Sequence, residues 1–208
     1  MGEAFHKQLR LTGVDGDWEV ETGSPADVVA RRARSADLLV LGQPDPGEEA
    51  LTRPMNLIED ALMRTGRPLL LVPYAGRFDG AGGNVLVGWN DSREATRAAH
   101  DMLPLLAPSA RVTVLTIRHG GEAWDGGGPP GAEMAAHLAR HGLQATATRT
   151  VRDAGVSEAD VLLNHASDLG ADLLVTGGYG RSRVREILLG GATRSLLRTM
   201  TLPVLMSR

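Results

Sequence analysis

The sequence predicts an α/β protein: a doubly wound, five-stranded parallel sheet in a complete C-terminal unit, preceded by a partial copy of the same unit. Three observations carry this. Short, wholly apolar runs alternate with amphipathic stretches of helical period, an order that yields a parallel sheet covered by helices on both faces. The chain also matches itself, because ADLLVLG, Ala36 to Gly42, returns as ADLLVTG, Ala171 to Gly177, 135 residues later. Finally, 42% of residues are hydrophobic but only 3% aromatic, which leaves a core of Leu, Val and Ala, as buried parallel strands and their helices prefer.

The self-match continues without a gap: Leu62 meets Leu197, Pro68 meets Pro203 and Leu70 meets Leu205. Upstream the offset is 133, with SPADVV from Ser24 against SEADVL from Ser157. In each copy a Ser suited to an N-cap is followed three residues on by an Asp, Asp27 or Asp160, the layout of a capping box, so a helix is expected there. A Leu-Leu-Val strand follows, then a loop and a second helix, in which Leu57, Ile58, Ala61 and Leu62 answer Ala192, Thr193, Leu196 and Leu197. The last strand comes after Pro68 or Pro203.

The second copy has more in front of it. NVLVGWN, Asn84 to Asn90, reads as a strand, and DSREATRAAHDMLPLL as a helix with Asp91 as its cap and Glu94 at the third helical position. RVTVLTI, Arg111 to Ile117, is a second strand, and a Gly/Pro-rich loop from His119 to Gly131 leads into the helix AEMAAHLARHG. The first copy lacks its opening strand, helix and second strand, and its start, AFHKQLRL, resembles the helix that precedes LQATATRTV. The expected organisation is a partial unit over residues 1–75, a linker over 76–83 and a complete domain over 84–208. Doubly wound sheets place their first strand centrally, so the partial unit is expected to lean on the complete one or on another chain.

Composition excludes several classes of function. A net charge of -3 and a pI near 6.1 give no broad positive field, and the few aromatics give no base-stacking platform, so nucleic acid is not an expected partner. No apolar run approaches the roughly 20 residues that cross a bilayer. The start MGEAFHKQLRL has neither the apolar stretch nor the cleavage site of a signal peptide, so no membrane partner and a cytoplasmic location are expected. Without cysteine there are no disulfides, thiolates or cysteine-bound zinc.

Ligands of doubly wound sheets sit beyond the carboxyl ends of the strands, where strand order reverses. The stretch LVTGGYGRSRVREILLGGATRSLL, Leu174 to Leu197, begins at such an end. Gly177, Gly178 and Gly180 let backbone amides approach a ligand and take positive φ. Gly190 and Gly191 precede the helix of Ala192 and Thr193, whose unpaired amides and partial positive charge attract anions. A polyphosphate suits both elements; a plain turn is the other use of such glycines. Arg181 is placed where it reaches phosphate oxygens, whereas Arg183 and Arg185 are read as solvated surface. The stretch does not match G-x4-GK[ST], which argues against a P-loop hydrolase.

The spacing G-x2-G-x9-G, filled by Gly177, Gly180 and Gly190, with the flanking strands and the closing PVLM, resembles the nucleotide-binding form of the universal stress protein family. The resemblance covers Asn84 to Arg208 and the rear part of a second unit, and it implies the adenine nucleotide alpha hydrolase-like fold. It also implies that the glycine loop cradles the phosphates of ATP, with Trp89 and Asn90 beside the adenosine. Two departures stand out. Gly191 occupies a place the family usually gives to Ser or Thr, which keeps the backbone donor and loses the hydroxyl; Thr193, two residues on, is the candidate to supply one. Asn90 replaces a frequent Asp, which leaves ATP expected and Mg²⁺ open.

In the first copy the corresponding loop is GQPDPGEEALTRPMN. There Asp45 replaces Gly180, and Met55 and Asn56 replace Gly190 and Gly191. Pro44, Pro46, Glu48 and Glu49 stiffen and acidify the region, so only the second unit is expected to bind nucleotide.

Glu133, His137 and His141 share one helix face, but no fourth ligand is identifiable, so surface Glu–His pairing is expected rather than a metal site. His100, His119 and His165 show no partner spacing. No G-x-S-x-G elbow or paired acid and base stands out, so no catalytic residue is assigned. The expected function is a non-catalytic, ATP-binding regulatory module acting on an unidentified protein partner. Homo-oligomerisation, or pairing of the two units through their last strands, Leu69 to Val72 and Val204 to Met206, is expected to cover the sheet edge. The alternatives are an interaction module of the same fold that has lost nucleotide, and a slow ATP hydrolase.

Overall fold

The structure is a computed structural model that describes residues 2–45, 52–119, 128–178 and 191–208. Helix α1 (Gly2–Thr12) is followed by α2 (Pro25–Arg32), β1 (Leu39–Gly42), α3 (Thr52–Arg64) and β2 (Leu69–Val72). The second unit comprises β3 (Asn84–Gly88), α4 (Arg93–Asp101), β4 (Arg111–His119), α5 (Ala132–Arg140), β5 (Gln144–Arg152), α6 (Glu158–Leu169), β6 (Leu173–Gly177), α7 (Gly191–Thr199) and β7 (Val204–Ser207).

The seven strands among the described residues join one sheet in the order β1-β2-β7-β6-β3-β4-β5. The last five form the doubly wound sheet that the sequence predicts, parallel throughout, with strand order reversing between β3 and β6. Residues of β6 show why it is central. Leu174 is fully buried in a core formed with Ile58 and Leu62 of α3, Leu162 of α6 and Leu197 of α7. Its neighbours Leu173 and Val175 point the other way, into a core built on Ala95 and Ala98 of α4 and Leu138 of α5.

The joint between the units is the pairing expected of their last strands. β2 runs antiparallel to β7, with Leu69 opposite Met206, Leu70 opposite Leu205 and Leu71 opposite Val204. Leu70 and Leu205 are each other's counterparts in the self-match, so the two edges meet about a local two-fold relation.

The linker is held on its far side by one carboxylate: Asp172 accepts from the amides of Gly82, Gly83 and Asn84. Residues 13–24 carry no strand. In the second unit β5 pairs along its length with β4, and no strand stands in that relation to this segment, so its polar groups go elsewhere: Glu21 pairs with Arg31 and Arg32, and Glu19 with Arg32.

Two capping expectations are corrected. Ser157 and Asp160 form the capping box of α6, but Ser24 makes no side-chain cap bond, and Asp27 accepts instead from Arg64 at 2.6 Å. The cap of α4 is Ser92, not Asp91. Asp91 has φ 56, outside the extended region an N-cap needs, whereas Ser92 is extended and its Oγ accepts from the Ala95 amide at 3.1 Å.

The histidines of α4 and α5 also differ from expectation. His137 packs between His100 and His141, at ring-centroid distances of 4.9 and 4.8 Å, rather than pairing with Glu133. Among the described residues no group of three or more His, Cys, Asp or Glu is arranged to hold a metal ion. His137 Nε2 is buried and has no hydrogen-bond partner among the described residues. Burial, then the charges of His100, His141 and Arg140, lower its pKa from the ordinary histidine value of 6.5. The unfolded chain therefore takes up a proton more readily, so this contribution to stability is complete above that ordinary value and is lost as pH falls below it. Melting temperatures measured from pH 7.5 down to 5.5 should fall, and His137→Gln should flatten that fall.

Candidate functional site

The reversal of strand order places the ends of β3 and β6 side by side, with Gly88 opposite Thr176. Beyond β3 come Trp89 and Asn90. The Trp89 amide donates to the Leu115 carbonyl at 2.8 Å, which extends the β3–β4 ladder by one residue, and the indole is buried to 9% exposure. Asn90 Oδ1 accepts from both the amide (3.2 Å) and the hydroxyl (2.6 Å) of Ser92. This Asx turn carries the chain from the strand end into α4.

A cleft of about 1160 Å³ opens at the carboxyl ends of β3 and β4 and against the start of α5. Trp89, Asn90 and Asp91 line one side, residues 116–118 the floor and residues 128–134 the other side. The start of α5 is shaped by Gly131, its N-cap, at φ 82. A Cβ there would lie 2.8 Å from Val114 Cγ1 and 3.1 Å from Trp89 Cδ1, so only glycine lets the helix start lie on the indole. Gly131 offers no side chain to cap the helix, and α5 thus starts at the cleft wall without a side-chain acceptor for its first amides.

On the other side of β3, Gly177 and Gly178 close β6, and neither has positive φ. Their need for glycine is steric instead. A Cβ at 177 would lie 2.6 Å from the Ala95 amide nitrogen and 2.7 Å from the Glu94 carbonyl carbon, so the first turn of α4 rests directly on the strand end. A Cβ at 178 would lie 2.4 Å from Leu62 Cδ2 of the first unit. The Gly178 amide is spent on the Ser207 carbonyl at 2.8 Å.

Glu94, in that same first turn, is buried, and its carboxylate accepts from Arg93 Nε at 2.7 Å. Burial raises its pKa, but the Arg93 hydrogen bond and charge, a backbone amide and Ser92 outweigh this and hold the carboxyl below the ordinary glutamate value. It stays ionised near neutrality beside the positive end of α4.

The structure thus brings Trp89, Asn90, Gly177 and Gly178 to one end of the sheet. Gly191 and Ala192 are exposed at the start of α7, with Thr193 half-buried in its first turn, and a Cβ at 191 would meet nothing. Gly180, Arg181 and Gly190, with Arg183 and Arg185, lie outside the described residues, as do Pro46, Glu48 and Glu49 of the first unit's loop. In that unit Gln43 stands where Gly178 stands, and its buried side chain fills the space: Nε2 donates to the Leu197 carbonyl at 2.9 Å and Oε1 accepts from the Tyr74 amide at 3.2 Å.

Sequence reading missed Ser92, Gly131, Gln43 and Leu62. The Gly-Pro-Pro-Gly run before α5 was a signal for Gly131, since a glycine one residue before a helix that follows two prolines marks a required turn. No local signal marks Leu62, because its partner is 116 residues away.

The family model of the universal stress protein family matches residues 83–208. A curated relative, universal stress protein Slr1230 of Synechocystis, is 35% identical over 72 residues, and the chain spans a quarter of that relative's length. Among solved structures, a universal stress protein from Archaeoglobus fulgidus superposes with a TM-score of 0.74 at 14% identity, covering 99% of this chain and 74% of that one. A functionally unknown protein from Pseudomonas aeruginosa PAO1 gives 0.57 at 16% identity, covering 99% and 75%. These structural likenesses speak for the fold; the family model, which matches more than half the chain, speaks for descent. The chain belongs to the universal stress protein family.

Proposed function

We propose that the second unit binds an adenine nucleotide, ATP foremost, and that the chain is a non-catalytic regulatory module whose partner-facing surface changes with occupancy. The observation that carries this reading is the cleft of about 1160 Å³ at the reversal of strand order, walled by the Trp89 indole and by the start of α5, where the N-cap Gly131 lies against the indole. An adenosine suits an aromatic wall and a floor of strand ends, and the proposed phosphate path runs from there toward the glycine loop and α7.

The residues fit the nucleotide better than they fit a protein-held Mg²⁺. Asn90 brings no charge, and its Oδ1 already accepts two hydrogen bonds from Ser92. Any divalent ion is then expected to arrive on the phosphates, so ATP affinity should change little when Mg²⁺ is withdrawn. Nucleotide in the site shifts the population of surfaces offered to a partner.

Isothermal titration of the purified chain with ATP, with and without Mg²⁺, tests this, together with the nucleotide released on denaturation. Bound adenine nucleotide, or a melting shift that grows with ATP, is the expected result. An empty site and a flat melting profile would leave the interaction-module reading, and steady phosphate release would favour the hydrolase.

A further inference from the structure

Three histidines join the far ends of two helices that both begin at the cleft. His100 lies in the last turn of α4, His137 in the last turn of α5, and His141 ends α5. Their rings form a row with His137 in the middle, half-buried between two exposed neighbours. None of the three lines the cleft. At their other ends, however, α4 follows Trp89, Asn90 and Asp91, and α5 starts at Gly131, whose backbone lies on the indole.

Hydrogen-bonding roles fix where protons sit in the row. His100 Nδ1 donates to the Thr96 carbonyl at 2.8 Å, since a carbonyl can only accept. Arg140 Nη2 stands 3.5 Å from His137 Nδ1, and a guanidinium can only donate, so the proton of the neutral His137 ring is on the buried Nε2. A second proton must then go to Nδ1, facing the Arg140 cation. The surroundings supply no counter-charge. His100 and His141 are basic, Asp101 of α4 is turned to Arg97 at 3.4 Å, and Glu133, one turn back on α5, does not act on the ring. Beneath α5 the strands β4 and β5 offer only Val112, Val114, Ala145 and Ala147 to the shared core. Carbonyls at a helix end favour a cation, but burial and three basic neighbours outweigh them and keep His137 neutral.

The same helix carries the cleft wall. α5 is nine residues, about 13 Å long, and holds no Gly or Pro at which to bend. Through Met134, Ala135 and Leu138 it shares one core with Trp89 and with Ala98 and Met102 of α4. A displacement forced on its last turn therefore reaches Gly131 as a movement of the whole helix.

We propose that the histidine row is an acid-operated catch: a proton on His137 parts the ends of α4 and α5, lifts Gly131 from Trp89 and loosens the cleft, so that the site releases its ligand as the medium turns acid. The sign follows from linkage. His137 takes up a proton less readily in the closed row than at the ordinary value of 6.5, so the open arrangement gains as pH falls below that value, by up to about tenfold per pH unit for one proton. That the ligand is a nucleotide rests on the reading given above; the movement of the wall does not.

Trp18→Phe with Trp124→Phe leaves Trp89 as the one indole of the chain's three. Acrylamide quenching of its fluorescence, followed from pH 7.5 to 5.5 well below the melting transition, should rise about twofold or more while far-UV circular dichroism stays constant. His137→Gln, which cannot take the proton, should hold quenching at its starting level. His165→Gln, an imidazole of α6 outside the row, should titrate as the parent does. ATP affinity should fall about threefold or more across the same range in the parent and stay level in His137→Gln. Flat quenching in the parent, or an equal rise in His137→Gln, would overturn the proposal, as would an ATP affinity that follows the same course in both. Should the chain bind no ATP at either pH, the nucleotide reading falls, and the quenching of Trp89 alone decides whether the wall moves.

Discussion

A chain lacking residues 1–75 is expected to run as a dimer or an aggregate in size-exclusion chromatography with light scattering. β7 lies between β6 and β2, and removing the first unit strips one of its two neighbours. The bared edge is apolar: Val204, Leu205 and Met206 are fully buried in the intact chain. Ile58, Leu62, Leu69 and Leu71 leave the core at the same time, so a contiguous apolar face opens beside unpaired backbone groups.

The two-fold relation of the intact joint indicates how two such fragments would meet, β7 against β7 with Leu205 opposite Leu205. It also indicates a penalty, since Arg194, which donates to Glu59 at 3.0 Å in the intact chain, would then face a second Arg194. Association should therefore tighten as salt rises, the reverse of an interface held by opposite charges. A monomer of unchanged melting temperature would show that the first unit is not needed as cover.

The second large effect is expected at Trp89. Trp89→Ala should cost about 3–5 kcal/mol of stability, the range for emptying an aromatic site in a core, read as a lowered urea midpoint. ATP affinity should fall by about tenfold or more, because the indole is the wall of the cleft. Trp89→Phe separates the two effects. It keeps an aromatic face against Gly131, so most of the stability should return, together with part of the affinity. If Trp89→Phe and Trp89→Ala, compared at temperatures where both are folded, bind ATP as wild type does, the nucleoside does not lie on this wall.

Much of this architecture was legible because strands buried on both faces spell themselves as apolar runs, and because the chain carries the same run twice. The pairing of the two last strands was expected because a sheet edge needs cover, and the structure adds its register, with Leu70 opposite Leu205. What was not legible depends on partners distant in sequence. Gly177 and Gly178 read as ligand-approaching glycines with freedom to take positive φ; the structure shows them stripped of side chains so that α4 and Leu62 can close on them. Asp91 and Ser92 are both good caps by residue type, and the choice fell to Ser92 because the Asx turn at Asn90 forces Asp91 into the left-handed region. His100 had no partner at any helical spacing because its partner, His137, is on another helix.

The seam between β2 and β7 also restricts how the molecule can move. Side chains alternate across a strand, so slipping the seam by a single residue would turn Leu69 and Leu71 out to the wrong layer and bring Leu70 in their place. Sliding of one half along the other is thereby forbidden in small steps. Any message that travels between the halves has to be carried by tilting helices over a fixed floor, and displacements of a fraction of a turn in α3 or α7 are the currency available to it.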